Sequence, residues 1–168
     1  MRAFPLTVTA LAAALLLTAC DSGGGHSGDK NSSACEIGGV SVQIGSASVA
    51  PAAGDSGEVP VSITNQSKPC TLDTFPGAVL SGDGEHKVPV LKGAKARQLK
   101  LAKGDSATFS IGYVRGKAGE TSSLAAKSVK ISLPGGDETR DFPWSYGPIA
   151  LKDTTPDASV SAFQQVGD

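Results

Sequence analysis

The sequence predicts an all-β fold, a single antiparallel β-sandwich of about seven or eight strands. Short runs in which apolar and polar residues alternate recur between clusters of turn-forming residues, which is the pattern of half-buried strands. The composition favours turns, with 21 glycines and 10 prolines among 168 residues and few aromatic side chains. No segment sustains the apolar period of a helix. Many short strands at turn-bounded intervals are typical of a sandwich.

The first strands are predicted from three runs. Residues 40–44 and 59–64 alternate cleanly. Within the second run, Pro60 indicates a strand start or an edge, because proline has no N–H to donate to a neighbouring strand. A weaker run contains Val88, Val90 and Leu91, just after a Gly-Asp-Gly turn.

The later runs complete the sandwich. Residues 98–101 alternate, and residues 107–113 place every second side chain on one apolar face. Residues 129–133 form a strand that stops at a Pro-Gly-Gly turn, and a last run covers residues 160–164. Between them, residues 119–127 predict at most one turn of helix.

Residues 1–19 predict a lipoprotein signal peptide. Arg2 precedes an apolar run at 6–17, and no acidic residue occurs before Cys20. The tetrapeptide Leu-Thr-Ala-Cys that ends at Cys20 resembles a bacterial lipobox, in which the cysteine thiol accepts a diacylglycerol. The alternative is an ordinary secretory signal that happens to place a cysteine there. The apolar run is too short for a membrane-spanning helix, which needs about 20 residues.

A lipobox predicts where the protein lies. We expect it on the extracytoplasmic face of a bacterial cell membrane, with the membrane as its partner through Cys20. A single acyl chain binds membranes only marginally, so a further chain such as palmitate is expected. Residues 20–34 contain no large apolar side chain and predict a disordered Gly/Ser tether. The β-sandwich domain is expected at 35–168.

The composition of the mature chain excludes one class of partner. Removing the first 19 residues leaves 149, which is enough for one domain. It also leaves 14 basic against 16 acidic side chains, a formal charge of −2. Binding to nucleic acid is driven by a basic excess that this chain lacks, so no nucleic-acid partner is expected.

The cysteines divide into one lipidated residue and one pair. With Cys20 lipidated, Cys35 and Cys70 remain, in a compartment where disulfides persist. A bridge between them is the first interpretation, and two free buried thiols are the alternative.

The chain imitates a catalytic motif without the residues that the chemistry needs. The Gly-Asp-Ser-Gly sequence around Ser56 matches the nucleophile loop of chymotrypsin-like proteases. A serine nucleophile needs an oriented histidine, yet His26 lies in the predicted tether and His86 is the only other one. A turn is the better interpretation. Two separated histidines and a paired cysteine set do not make a usual metal site, so no catalytic residue, metal or cofactor is expected.

Six basic residues without an intervening acid form a candidate basic surface: Lys87, Lys92, Lys95, Arg97, Lys100 and Lys103. Lys100 is expected to point outward between two inward leucines, and Lys92 and Lys95 to lie on a loop. Such a surface suits anionic lipid headgroups or wall phosphates. The alternative is a solvated strand edge, where lysine prevents unwanted strand pairing.

Trp144 and Tyr146 form a candidate aromatic binding cluster, in the segment Phe-Pro-Trp-Ser-Tyr-Gly-Pro. If exposed, the two rings suit a carbohydrate or a protein partner. If buried, they close one end of the sandwich, and a core of small side chains favours burial.

One block of the sequence resembles a known family. Residues 64–72, T-N-Q-S-K-P-C-T-L, and the F-P-G at 75–77 resemble the actinobacterial lipoproteins that carry the domain of unknown function forty-two thirty-two. Shorter matches extend the likeness over most of residues 35–167, at 101–113, 133–135 and 160–167.

The resemblance implies an immunoglobulin-like sandwich tied by a disulfide between Cys35 and Cys70. Many relatives carry a further cysteine where this chain has Thr-Ser-Ser at 121–123, so no second bridge is expected. The family brings no established activity and no catalytic residues, and a fold alone does not define a function.

These observations predict a membrane-anchored lipoprotein whose domain is a non-enzymatic binding or interaction module. The alternative is an envelope structural or accessory protein that contacts anionic wall polymer or lipid through the basic surface at 87–103. An envelope protein and a cell-wall polymer are the candidate partners. The sequence leaves the ligand and the oligomeric state open.

Overall fold

The computed structural model describes residues 33–46 and 52–166, and the regular secondary structure in them consists almost entirely of short antiparallel strands. A single 3-10 turn, Ile37–Gly39, precedes the first strand. The strands are β1 Val40–Ile44, β2 Ser56–Asn65, β3 Cys70–Leu72, β4 Gly77–Gly82, β5 Gly84–Lys87, β6 Leu99–Leu101, β7 Ser106–Val114, β8 Ser123–Leu124, β9 Ser128–Ser132, β10 Thr139–Pro143, β11 Ile149–Lys152, β12 Thr155–Pro156, β13 Ala158–Val160 and β14 Gln164–Gln165.

The largest sheet has the order β1-β2-β7-β13, with β14 on the same edge of β7 as β13. Its centre is the pairing of β2 with β7, which runs from Ser56 opposite Val114 to Thr64 opposite Ser106. These two long strands alternate more regularly than any other part of the chain, so their inward side chains form a continuous apolar face.

A second sheet, β10-β9-β4-β5, and two small ones, β12-β11-β8 and β3-β6, complete the fold. Inward side chains from the two larger sheets and from β3 and β6 meet in one core, whose fully buried members include Val59, Val61, Ile63, Leu72, Leu80, Leu101, Ile111, Val129 and Ile131. The described residues all belong to one compact unit with this single core. The all-β sandwich is therefore confirmed, and its immunoglobulin-like connectivity stays a prediction.

The last predicted strand is broken by an extra residue. Val160 pairs with Ile111 and Gln164 with Thr108, so three residues lie opposite two. The Ser110 N–H donates to the Ser161 hydroxyl across this bulge, at 2.9 Å. Phe163 turns inward there and packs edge-on against Phe109, with 5.5 Å between the ring centres. The interruption thus carries an aromatic side chain into the core.

Pro60 lies inside a central strand, yet its missing N–H leaves no gap in the sheet. Gly45 N–H donates to the Pro60 carbonyl at 2.8 Å, on the side of β2 that faces β1. Pairing with β1 ends one residue away, where Ile44 lies opposite Val61. The N–H and the C=O of one strand residue point to the same side, so the missing N–H of Pro60 would also face β1. Regular pairing with β1 has ended by this residue, and the sheet therefore loses no hydrogen bond.

The weak run at Val88, Val90 and Leu91 is wrong as a strand of its own. The strand in this part of the chain is β5, which precedes it, and only Val90 forms an isolated bridge. Val88 is buried, but Val90 and Leu91 are exposed. Alternation cannot be read reliably from so few apolar residues, because the same letters fit a loop.

The start of the folded domain was predicted at Cys35, but backbone pairing in the structure already includes Ser33. Thr71 N–H donates to the Ser33 carbonyl at 2.6 Å, and Cys35 N–H donates to the Thr71 carbonyl at 2.9 Å. These bonds add residues 33–35 as a short parallel edge beside β3, so residues 33 and 34 belong to the domain and not to the tether.

Other predictions lie outside the described residues. They are the signal peptide at 1–19, the lipidated Cys20 and the remainder of the tether. In the described residues, no helix has the length and apolar character that crossing a membrane requires.

Candidate binding groove

The outer face of the largest sheet carries a groove of about 610 Å³. Three neighbouring strands, β2, β7 and β13, form its floor, and the segment 89–92 forms one wall. Its volume falls within the range of pockets that hold small ligands. Because the floor consists of hydrogen-bonded strands, the groove is held in a fixed shape.

The floor is shaped by a glycine. Gly112 lies between Glu58 on β2 and Ser159 on β13, at an outward position of the central strand. An added Cβ would have only ordinary contact there, with its nearest atom, the Ser159 hydroxyl oxygen, 3.7 Å away. The space above Gly112 is therefore open groove.

Small hydroxyl side chains surround this glycine. Ser56, Ser110, Ser159 and Ser161 all line the groove. The Ser161 hydroxyl is engaged, because it donates to the Ala162 carbonyl at 3.1 Å and accepts from Ser110 N–H. In the part of the chain that the structure describes, the other three hydroxyls have no protein partner and can bond to a ligand.

The wall at 89–92 is attached to the edge of the sheet. Val160 N–H donates to the Pro89 carbonyl at 2.9 Å, and Leu91 N–H donates to the Val160 carbonyl at 2.8 Å. These bonds make the segment a short parallel neighbour of β13, with Val90 opposite Val160. The wall contributes exposed apolar surface, because Val90 and Leu91 are 42% and 49% exposed.

Charged groups stand at the rim of the groove. Lys152 forms an ion pair with Asp157 at 3.0 Å, while Glu58 and Lys92 also line the groove. Both signs occur there, so electrostatics alone favours neither an anionic nor a cationic ligand.

A second hollow, of about 800 Å³, lies beside His86. Its lining comes mostly from turns, at residues 117–126 and 147–154. The His86 ring Nε2 lies 3.1 Å from the Asp83 carbonyl oxygen, and nearby Glu85 forms an ion pair with Lys130. That contact raises the pKa of the Lys130 ammonium above its usual value, chiefly through the hydrogen bond from Lys130 to Glu85. We prefer the groove as the candidate site, because strands hold side chains more firmly than turns do.

The candidate basic surface is spread over strand, loop and strand. Lys87 ends β5, Lys100 lies in β6, Lys103 follows in a turn, and the other three basic residues lie on the connection at 88–98. All six side chains are exposed, and within the described residues none of them forms an ion pair. The expected outward direction of Lys100 between its two leucines is confirmed.

The aromatic cluster closes one end of the sandwich. Trp144 is only 6% exposed and meets the rings of Tyr113 and Tyr146 edge-on, at 5.3 and 4.9 Å between centres. The indole N–H donates to the Gly147 carbonyl at 2.8 Å, and the Tyr146 hydroxyl donates to the Gly45 carbonyl at 2.7 Å. Burial raises the pKa of Tyr146 above its usual value, and the nearby Tyr113 adds to the effect. The indole thus has no free face on which a sugar could stack.

The Gly-Asp-Ser-Gly motif forms a turn and a strand start. Gly54 has a φ of 93°, and the Asp55 carboxylate accepts from Ala52 N–H at 3.1 Å. Ser56 is exposed at the first position of β2. His86, the one histidine among the described residues, contacts the Asp83 carbonyl instead. The structure thus places the motif in the turn that the sequence predicts.

The disulfide between Cys35 and Cys70 is present, with the two Cα atoms 4.9 Å apart. It ties the edge at residues 33–35 to β3, next to the buried Asn65. Among the described residues, no group of three or more His, Cys, Asp or Glu side chains could hold a metal ion.

Sequence reasoning missed the groove and the residues at its floor. Gly112 interrupts the outward positions of a regular strand, which is the one local signal that something approaches the backbone there. Its neighbours Glu58 and Ser159 lie far away in sequence, and only strand register brings the three together.

Comparison with known proteins gives a family. The model of the Domain of unknown function (DUF4232) matches residues 35–164. A search of curated proteins gave no match, and neither did a search of solved structures. The match covers well over half of the chain and most of the described sandwich, and it confirms the resemblance drawn from the block around Cys70. The chain therefore belongs to the DUF4232 family.

Proposed function

We propose that this protein is a lipid-anchored lipoprotein on the extracytoplasmic face of a bacterial cell membrane, and that its β-sandwich is a non-enzymatic binding module. The signal sequence and the Leu-Thr-Ala-Cys ending at Cys20 support the anchor. The groove over Gly112 carries the binding role, because it joins a rigid floor, free hydroxyls and an exposed apolar wall in one concave surface.

The chemistry of the groove favours binding over catalysis. Among the described residues, none of its hydroxyls is hydrogen-bonded to a histidine, carboxylate or lysine side chain that would turn a serine into a nucleophile. The apolar wall of the groove matches the shape of a ligand, and the hydrogen-bonding groups of its floor fix the orientation of that ligand.

A variant that fills the groove tests this role. Gly112→Leu places a bulky side chain above the floor, and the space at its Cβ predicts that the sandwich still folds. Thr108→Leu is the matched control, since Thr108 lies on the same outward face of β7 but does not line the groove. Each variant is immobilised as the chain from Asp21 to Asp168 and exposed to native envelope extract.

A ligand held in the groove will be retained by the unmodified chain and by Thr108→Leu, and lost from Gly112→Leu. It will be recovered chemically unchanged. Equal retention by all three chains would refute the groove as the site. Conversion of the ligand during capture would refute the non-enzymatic role.

The anchor has its own test. Metabolic labelling with palmitate is expected to mark the protein, and Cys20→Ser should remove the label. A labelled Cys20→Ser protein would contradict lipidation at that residue.

A second candidate function is an envelope structural or accessory role in which the basic surface contacts anionic wall polymer. The exposure of all six basic side chains favours it. Binding of this kind should weaken steeply between low and physiological salt, whereas retention in the groove should change little.

A further inference from the structure

The connection at 88–98, between β5 and β6, presents two adjacent apolar side chains to solvent. Val90 is 42% exposed and Leu91 is 49% exposed. Among the described residues, the other large apolar side chain with comparable exposure is Val166, near the end of the described chain. Single exposed apolar residues are ordinary on protein surfaces, but a projecting pair within a basic loop is a distinct pattern.

The charges on the loop that carries this pair are all basic. Lys92, Lys95 and Arg97 follow it on the same loop and are exposed. No aspartate or glutamate occurs from residue 86 to residue 104. Three acidic side chains approach from other elements: Asp73 accepts from Gln98 at 2.6 Å, Asp157 is paired with Lys152, and Glu58 lines the groove beside the apolar pair.

The loop is held in shape by backbone hydrogen bonds. The bonds between Pro89, Leu91 and Val160 tie its base to the sheet. Ala94 N–H donates to the Leu91 carbonyl at 3.0 Å, and Gly93 has a φ of 83°, which closes a turn directly after the apolar pair. A surface that is already ordered loses little conformational entropy when it binds.

We infer that the 88–98 loop docks on the anionic surface of a lipid bilayer. Val90 and Leu91 enter the layer between headgroups and acyl chains, and Lys92, Lys95 and Arg97 contact lipid phosphates. Apolar side chains among basic ones are the combination by which proteins bind at the surface of anionic membranes. A wall polymer supplies phosphates but no apolar layer, so the exposed Val90 and Leu91 favour lipid.

The lipid anchor, where present, strengthens this contact. This step rests on the proposed function, while the docking surface does not. Twelve residues separate Cys20 from Ser33, the first described residue, and they span roughly 45 Å when fully extended. A domain held this close to the bilayer meets it at a high effective concentration, so even a weak surface sets its orientation.

Sedimentation with vesicles tests the inference in the absence of an acyl chain. The probe is the chain from Asp21 to Asp168, mixed with phosphatidylcholine vesicles that either contain or lack phosphatidylglycerol. We expect binding only to the anionic vesicles, and weaker binding at physiological than at low salt.

Two variants separate the charge contact from the apolar contact. Lys95→Ser with Arg97→Ser leaves the groove lining intact and should weaken binding about 25-fold, at roughly fivefold for each basic residue near the membrane. Leu91→Ser should weaken it about fivefold, since about half of that side chain is free to be buried, and this loss should persist at high salt.

Matched controls exclude general effects. Lys117→Ser with Lys127→Ser removes the same net charge from other exposed positions and should leave vesicle binding within about twofold. Thermal unfolding shows whether each variant is folded. Gly112→Leu should bind vesicles normally, so failure of the groove and failure of the loop are told apart.

Three outcomes would overturn the inference. The first is sedimentation of the unmodified chain with both kinds of vesicle equally, or with neither. The second is a loss of binding on changing the control pair of lysines that equals the loss on changing the loop pair. The third is binding of Leu91→Ser as tight as that of the unmodified chain, which would leave a purely electrostatic contact of the kind that a soluble polyanion also makes.

Discussion

Replacing Asn65 with alanine should destabilise the domain by about 3 kcal/mol. Asn65 ends β2 at an inward position and is 1% exposed. Its side-chain amide donates to the Lys68 carbonyl at 3.0 Å and to the Leu101 carbonyl at 3.1 Å, and its side-chain oxygen accepts from Ser67 N–H at 3.0 Å. Each such bond contributes roughly 1 kcal/mol net, and the buried Leu101 carbonyl loses this partner when the amide is removed.

Urea unfolding measures this loss, with fluorescence of Trp144, the single tryptophan, as the signal and the disulfide kept intact. A loss of about 3 kcal/mol corresponds to roughly 10 °C in melting temperature for a domain of this size. Asn65→Asp is the informative companion, because it keeps an oxygen near Ser67 but turns a charged oxygen toward the carbonyls of Lys68 and Leu101. It should be at least as unstable as Asn65→Ala. A loss below about 1 kcal/mol for alanine, or a milder loss for aspartate, would refute this account.

Three further predictions concern stability. Replacing Cys35 and Cys70 together with serine should lower the free energy of unfolding by about 4 kcal/mol, because the bridge closes a loop of 35 residues. Urea unfolding of the double variant measures this loss, and a loss near zero would contradict the prediction. Gly147→Ala should lower the free energy of unfolding by more than about 1 kcal/mol, because φ is 86° there and a Cβ would collide with the Arg115 guanidinium. A melting temperature equal to that of the unmodified protein would exclude that collision. For Tyr146, a pKa raised in the folded state means that stability is full below about pH 10 and falls as the pH rises through the folded pKa. Melting temperature against pH should therefore fall less steeply above pH 10 in Tyr146→Phe, and parallel curves would contradict the burial of that hydroxyl.

The fold class could be predicted because it depends on local alternation. The strands β1, β7 and β9 follow the predicted runs within a residue or so at each end, since each has a regular two-residue period. Strands without that period were missed. The segment Thr139–Pro143, for example, places charged residues and a proline in β10, where pairing with β9 overrides local preference.

The candidate site could not be predicted in the same way. Its floor depends on Gly112 facing Glu58 and Ser159, and a shift of one residue in either pairing would turn those side chains to the other face. Register is set by the whole sheet, including the bulge at residues 161–163, and no short window of sequence contains it. The exposure of Val90 and Leu91 was missed for a related reason. An apolar residue is predicted to be buried from sequence alone, and only the tertiary structure shows that this segment lies at the surface.

Gly57 shows that packing against a residue distant in sequence explains one position of a motif that resembles a catalytic one. It is the last residue of the Gly-Asp-Ser-Gly sequence, and it lies opposite Tyr113 on β7. A Cβ at this position would stand 2.6 Å from the tyrosine ring, which is too close for any side chain to fit. The glycine thus makes room for Tyr113, whose ring packs against Trp144 and whose hydroxyl donates to the Tyr146 carbonyl at 3.2 Å. Packing of the aromatic end of the sandwich accounts for the last glycine of the motif, with no catalytic role required.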